Sequence, residues 1–146
     1  MRRGLAAFTI VAAGWFAAAG PAMAQTPIKT GIDATFAPHA MPKLGGGLEG
    51  FNIDLANELA RRMGRPIEIE GTEFSALIPG MNAKKYDFLI APTTVTPERA
   101  KAMLFTEGYM ETDYMFLQKK SDKPIASLED LKDKKVTVNK GSAYES

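Results

Sequence analysis

The order in which strand-like and helix-like segments follow one another is the feature that most restricts the fold of this chain. Apolar and polar residues alternate over Ile28–Asp33, which predicts a β-strand. Further strands are predicted at 66–70 and 86–91, with helices at 51–63 and 75–84 between them. Strands that alternate with helices form parallel sheets through right-handed crossovers. We therefore predict an α/β fold built on a parallel sheet.

The first helix is identified by its apolar spacing. Phe51, Leu55, Leu59 and Met63 recur at every fourth residue, which places them on one face. Gly64 follows at the position where helices commonly end, because glycine adopts the left-handed conformation without strain.

The second half of the chain carries weaker signals. Residues 103–105, 114–117 and 136–138 are additional strand candidates. Ser127 and Asp130 have the spacing of a capping box, although with aspartate in place of the commoner glutamate, and this spacing predicts the start of a short helix.

The first 24 residues have the three zones of a secretory signal. Arg2 and Arg3 precede an uncharged apolar stretch over 5–19, and the small residues Ala22 and Ala24 follow. The apolar stretch is shorter than the roughly 20 residues that a membrane-spanning helix needs. We expect cleavage after Ala24 and export of a soluble chain to the periplasm.

Composition excludes several classes of protein. The chain has no cysteine, so neither a disulfide nor lipid attachment to an N-terminal cysteine can form. Without Arg2 and Arg3, 16 basic residues face 17 acidic ones, for a net charge of −1. Nucleic-acid-binding domains carry a strongly basic surface, so we expect no nucleic-acid partner.

A run of hydroxyls and one guanidinium follows the third predicted strand. Thr93, Thr94 and Arg99 come after 86–91, and in an open α/β sheet ligands bind beyond the carboxyl ends of the strands. Arginine offers a planar fork of donors that matches a carboxylate, so the segment predicts a clamp for a small acid. The alternative is an exposed arginine in a surface ion pair, and position alone does not separate the two.

Four motifs occur in a fixed order along the chain. They are Gly-Phe-Asn-Ile-Asp-Leu at 50–55, Phe-Ser-Ala-Leu-Ile-Pro at 74–79, Thr-Val-Thr-Pro-Glu-Arg at 94–99, and Phe-Thr at 105–106 with Tyr109. Together they resemble the family 3 solute-binding proteins of bacterial amino-acid ABC transporters, over nearly all of the chain after the signal. Each motif alone is weak, but their number and spacing make a chance match improbable.

The resemblance implies a type II periplasmic-binding-protein fold, in which two lobes close over a ligand. Lobe 1 would occupy 25–117 and would be nearly complete apart from its returning segments. Residues 118–146 would hold the hinge crossing and the start of lobe 2, and 1–24 would be the signal peptide.

The resemblance also implies a ligand-binding set. Arg99 would bind the ligand carboxylate together with Thr94, Asp33 would supply an acid at the end of the first strand, and Phe36 and Phe74 would be aromatic walls. With Thr93 from the strand-end argument and a hydroxyl from lobe 2, the predicted set is Asp33, Phe36, Phe74, Thr93, Thr94, Arg99 and Ser142.

Three positions depart from the family pattern. Ala91 and Pro92 stand where the family often has serine or glycine, and Pro92 has no N–H to donate to a ligand. Ala143 stands where the family commonly has threonine, and it cannot supply the hydroxyl contact to the ligand that the resemblance implies there. His39, the only histidine, lies in the loop after the first strand, where a pocket role competes with that of an ordinary loop residue.

The function implied is binding of an amino acid or similar small carboxylate by hinge closure, and its delivery to an ABC permease. We expect a monomer, without a cofactor, metal or catalytic residue, and weak or no binding from these residues alone. Two alternatives stay open on the same fold. One is the ligand-sensing input domain of a receptor, and the other is a periplasmic enzyme such as a cyclohexadienyl or arogenate dehydratase or a lytic transglycosylase.

Overall fold

Three parallel strands form the sheet in the computed structural model, which describes residues 25–145. In chain order the elements are β1 (Ile28–Asp33), β2 (Met41–Pro42), β3 (Leu48–Glu49), α1 (Phe51–Met63), β4 (Ile67–Thr72), α2 (Phe74–Asn82), β5 (Phe88–Leu89), α3 (Pro97–Ala102) and a 3-10 helix at Leu128–Leu131. The sheet order is β4-β1-β5, and β2 and β3 form a separate antiparallel pair. The predicted α/β architecture with a parallel sheet is confirmed.

Strand β1 is the centre of the sheet and is covered on both faces. It pairs with β4 from Ile28 opposite Ile67 to Asp33 opposite Thr72, and with β5 on its other side. Lys29 is its only exposed residue. The alternation of polar and apolar residues therefore predicts this strand correctly. It does not identify the exposed positions, because the polar residues Thr30 and Asp33 are buried and hydrogen-bonded.

The third strand is shorter than the predicted 86–91. The Thr30 hydroxyl donates to the Phe88 carbonyl at 2.9 Å and accepts from the Ile90 N–H, also at 2.9 Å. At the other end, the Asp87 side chain accepts from the Lys29 N–H at 2.8 Å. Side chains thus take over hydrogen bonds that a longer ladder would use, and regular pairing is confined to two residues.

Helix α2 packs closely on the sheet because β1 carries a glycine at the contact. A Cβ at Gly31 would lie 2.8 Å from Leu77 Cδ2 and 2.9 Å from Tyr86 Cε2. Both of these side chains belong to the buried core, which lies between the sheet and helices α1 and α2. The core residues are Ile32, Ala40, Ile53, Ala56, Phe74, Leu77, Tyr86, Ile90 and Ala91.

The helix ends follow the sequence signals. Gly64 has the left-handed φ of 61° at the end of α1, and the Thr96 hydroxyl accepts from the Arg99 N–H at the start of α3. The start of α1 has no side-chain cap, and the carbonyls of Pro38 and His39 accept from the N–H groups of Phe51 and Asn52 instead. The loop after β1 is thereby fixed to α1.

Three predicted strands, at 103–105, 114–117 and 136–138, do not form. A strand needs a neighbour for its N–H and C=O groups, and within residues 25–145 these segments have no strand partner. The predicted helix near Ser127 is a single 3-10 turn, in which the Asp130 carboxylate accepts from the Ser127 N–H at 2.9 Å. None of the helices described is long and apolar enough to cross a membrane. The predicted signal peptide at 1–24 lies outside the described residues.

Candidate functional site

A cavity of about 570 Å³ extends from beside β5 to beyond its carboxyl end, next to the segment at 103–112. It is the place where an open α/β sheet binds ligands. Six of the seven predicted site residues line it, namely Phe36, Phe74, Thr93, Thr94, Arg99 and Ser142. The seventh, Asp33, is buried and reaches the cavity wall only through Asn139, which lines it.

Arg99 is held in place at the cavity by two backbone carbonyls. Its Nη1 donates to the Thr94 carbonyl at 2.9 Å, and its Nη2 donates to the Gly141 carbonyl at 2.9 Å. Its guanidinium carbon lies 5.4 Å from the centroid of the Phe74 ring, within the range of a cation–π interaction. A guanidinium has five N–H donors, so donors beyond these two are available to an anion in the cavity.

The two predicted aromatic residues differ in their surroundings. Phe74 is buried at the start of α2, where it belongs to the core and carries the Arg99 guanidinium on its ring. Phe36 is 40% exposed, and its ring stacks on that of His39 with the centroids 5.0 Å apart. Phe74 therefore supports the cationic group, and Phe36 offers an open aromatic face.

The two predicted threonines present different groups to the cavity. The Thr93 hydroxyl donates to the Ala91 carbonyl at 3.0 Å. Thr94 uses its carbonyl to hold Arg99, and its hydroxyl makes no hydrogen bond within residues 25–145. A ligand carboxylate on Arg99 would have the Thr94 hydroxyl as an additional donor.

Asp33 is 1% exposed, and its carboxylate accepts several hydrogen bonds. Burial raises the pKa of this carboxyl, but the N–H and hydroxyl of Thr35, the Asn139 amide and the Phe74 N–H together lower it below its ordinary value. Oδ1 accepts from Thr35, and Oδ2 accepts from Asn139 Nδ2 at 2.7 Å. The charge is therefore directed at donors of the protein.

The segment at 139–144 closes one side of the cavity, and sequence reasoning identified only part of it. Ser142 and Ala143 line the cavity, and the Ser142 hydroxyl accepts from the Tyr144 N–H at 3.3 Å. Asn139, which is not in the predicted binding set, donates to Asp33, and the Gly141 carbonyl accepts from Arg99. No local signal marked Asn139 for this role, because an asparagine in a turn typically bonds to nearby backbone.

The charges at the cavity are unequal. Two acidic residues of the segment at 103–112, Glu107 and Glu111, line it against the single guanidinium of Arg99, and no lysine lines it. Asp87 also lines it, but its carboxylate accepts from the Lys29 N–H at the amino end of β5. A cleft with an excess of one sign favours ligands of the other sign. Nowhere in the described part of the chain do three or more potential metal-binding side chains form a group.

The comparisons with known proteins agree with this geometry. The family model for bacterial extracellular solute-binding proteins, family 3, matches residues 28–144, and the chain belongs to that family. It is 37% identical over 115 residues to the arginine-binding extracellular protein ArtP of Bacillus subtilis, an alignment that covers 79% of this chain and 44% of that protein. The chain spans about half the length of the curated relatives it matches.

Solved structures show the same fold. An ancestral arginine-binding protein bound to arginine matches with a TM-score of 0.74 and 37% identity, over 84% of this chain and 54% of that one. The arginine-bound form of domain 1 from TmArgBP, a Phe57Trp mutant, matches with a TM-score of 0.55 and 36% identity, over 57% of this chain and 64% of that one. The predicted family and the predicted periplasmic-binding-protein fold are confirmed.

Proposed function

We propose that this chain is the ligand-binding part of an amino-acid-binding protein that serves an ABC importer. In this proposal the ligand's α-carboxylate binds the available N–H groups of Arg99 and the Thr94 hydroxyl, and its body lies against Phe36 and Phe74. Thr93 and Ser142 supply further polar contacts along the same cavity. Asp33 orders the segment that closes the cavity by binding Asn139.

The observation that carries the proposal is the setting of Arg99. A guanidinium on an aromatic ring, fixed by two carbonyls at a cavity beyond a strand end, is preorganised for a carboxylate. A surface ion pair, the alternative reading of this arginine, is not seen, since Arg99 forms no salt bridge to a carboxylate within residues 25–145.

A basic L-amino acid is the ligand class that we favour. The matched relatives and structures include arginine-binding proteins, and a lysine/arginine/ornithine-binding protein of Escherichia coli is among them. The acidic residues Glu107 and Glu111 at the cavity suit a ligand whose side chain is cationic. The sequence led us to expect weak or no binding from these residues alone. The arginine-bound domain 1 from TmArgBP supports the idea that a single domain can hold the ligand, and we therefore propose in place of that expectation that this chain binds one.

The cellular setting follows from the family and the sequence. The relatives named as periplasmic binding proteins support a periplasmic location, reached through a signal peptide at 1–24 that is cleaved after Ala24. Residues 25–117 would form lobe 1, and 118–146 would form the hinge crossing and the start of lobe 2. Ligand contacts from both sides would then favour the closed state of a monomer that docks on a membrane permease.

The test is calorimetric titration of the chain from Gln25 onward with L-arginine, L-lysine, L-histidine and L-glutamine. We expect binding of a basic amino acid, its loss in Arg99→Ala, and a weakened response in Arg99→Lys, because an ammonium lacks the bidentate fork. Arg61→Ala is the matched control, since Arg61 lies on the exposed face of α1 and pairs with Glu58. Unchanged binding in Arg99→Ala would refute the assigned role.

The alternative functions are not favoured by any contact in the described part of the chain. The relatives reported above are named as binding proteins.

A further inference from the structure

His39 lies in the loop after β1 with its ring at the cavity. The ring stacks on Phe36 at 5.0 Å with an interplanar angle of 27°, and it meets the Phe51 ring edge-on at 6.3 Å. Two aromatic neighbours and the bonds of the His39 backbone to α1 define where the imidazole sits. A side chain held this firmly can contribute to recognition at low entropic cost.

The orientation of the imidazole is set by Asn52, which is fully buried in α1. The Asn52 amide nitrogen lies 2.6 Å from the Ile90 carbonyl and 2.9 Å from the Tyr109 hydroxyl. Because a carbonyl only accepts, the atom facing Ile90 must be the amide nitrogen. The amide oxygen therefore faces His39 Nδ1, at 2.9 Å.

This arrangement decides which imidazole nitrogen carries the proton. An amide oxygen accepts only, so His39 Nδ1 must be the donor of the 2.9 Å bond. In the neutral ring the lone pair then belongs to Nε2, which points away from Nδ1 and from the buried Asn52. Nε2 makes no hydrogen bond within residues 25–145, so it is an acceptor without a partner on a residue that lines the cavity.

We propose that His39 determines ligand specificity by accepting, at Nε2, a hydrogen bond from an N–H of the ligand's side chain. This inference rests on the proposed function and extends it. With the α-carboxylate on Arg99, the side chain of the ligand extends along the cavity whose wall includes Phe36 and His39. An acceptor there favours a guanidinium or ammonium over an aliphatic side chain, which would leave Nε2 unpaired.

The experiment compares two ligands of similar length that differ in side-chain donors. The chain from Gln25 onward is titrated with L-arginine and L-norleucine, as wild type and as His39→Phe, which keeps an aromatic ring on Phe36 and removes Nε2. We expect affinity for arginine to fall about tenfold and that for norleucine to stay within about twofold. Arg61→Ala is the control, because Arg61 lies on the exposed face of α1 and pairs with Glu58, and its affinities for both amino acids should match those of wild type.

A spectroscopic measurement on the wild type gives an independent readout if the variant folds poorly. Nitrogen-15 spectra of the imidazole should show the Nδ1–H tautomer in the unliganded chain and a shift of Nε2 with arginine only. An equal loss of affinity for both amino acids in His39→Phe, or an Nε2 signal indifferent to arginine, would overturn the inference while leaving the proposed function intact. Failure of wild type to bind any amino acid would overturn both.

Discussion

Asn139 donates from Nδ2 to Oδ2 of Asp33 at 2.7 Å, although the two residues are 106 positions apart in the chain. The bond joins the end of the central strand to the segment at 139–144, which also holds Arg99 through the Gly141 carbonyl. Two of the residues that we assign to the ligand site are thus bonded to the same short segment. The cavity wall is tied to the sheet through these bonds.

Replacement of Asn139 by alanine should loosen that segment. Asp33 would keep its bonds to Thr35, but the 139–144 segment would lose one of its two side-chain links to the sheet side of the cavity. We expect the free energy of unfolding to fall by about 1.5–3 kcal/mol, as for one hydrogen bond to a charged group. Hydrogen exchange should accelerate at 139–144 and not in β1, whereas the surface variant Asn57→Ala should leave both unchanged. If the amides of 139–144 exchange as slowly in Asn139→Ala as in wild type, this expectation is contradicted.

Acid should weaken the fold through Asp33. Its folded-state pKa is lowered, so its contribution to the free energy of unfolding is fully present above the unfolded pKa of about 3.9 and is lost as pH falls through the folded pKa. Urea unfolding of wild type and Asp33→Asn should therefore show a stability difference that is constant near neutrality and narrows below about pH 4.

Glu58 provides the control for that titration. Its bonds to Arg61 and Arg62 lower its pKa to about 2, so it titrates in the same acid range, but it lies on the exposed face of α1. In a Glu58→Gln background, the stability difference made by Asp33→Asn should still decrease below about pH 4 as it does in wild type. A stability gap between wild type and Asp33→Asn that does not depend on pH would contradict the assignment.

Thr30 should be the polar residue of the sheet that is least tolerant of an apolar isostere. Thr30→Val keeps the shape but leaves the Phe88 carbonyl and the Ile90 N–H without their partner, at an expected cost of about 1–3 kcal/mol. Thr30→Ser keeps the hydroxyl and should lose only about 1 kcal/mol of buried methyl contact. The two variants are compared by chemical unfolding. If both lose the same free energy of unfolding, packing and not hydrogen bonding is the main contribution of Thr30.

The carboxylates at the cavity should attract a cationic ligand. The double change Glu107→Gln and Glu111→Gln should weaken L-arginine binding several-fold at low salt and less at high salt, because exposed charges are screened. Binding of neutral L-glutamine should change little. Glu98→Gln, on the exposed side of α3, is the matched control. If the double change leaves L-arginine binding unaltered, Glu107 and Glu111 have no role in attracting the ligand.

The strand predictions that were wrong depended on contacts between residues far apart in the chain. The spacing at 103–105, 114–117 and 136–138 favours strands, but a strand forms only when another segment accepts its hydrogen bonds, and none does so in the described part of the chain. The shortening of the third strand likewise depends on Thr30, some 58 residues away. Neither effect can be read from a window of neighbouring residues.

Phe74 entered the predicted site only through the family resemblance. Local patterns in the sequence predicted the α/β alternation, the glycine end of α1, the threonine start of α3 and a carboxylate clamp at Arg99 and Thr94. These depend on local periodicity, on caps within one helical turn and on the rule that parallel strands end at the same edge of a sheet. The bond from Asn139 to Asp33, and the Asn52 amide that sets the proton position on His39, are visible only in the folded chain. Such bonds join residues brought together by chain folding, and their energies depend on burial and orientation that no stretch of sequence specifies.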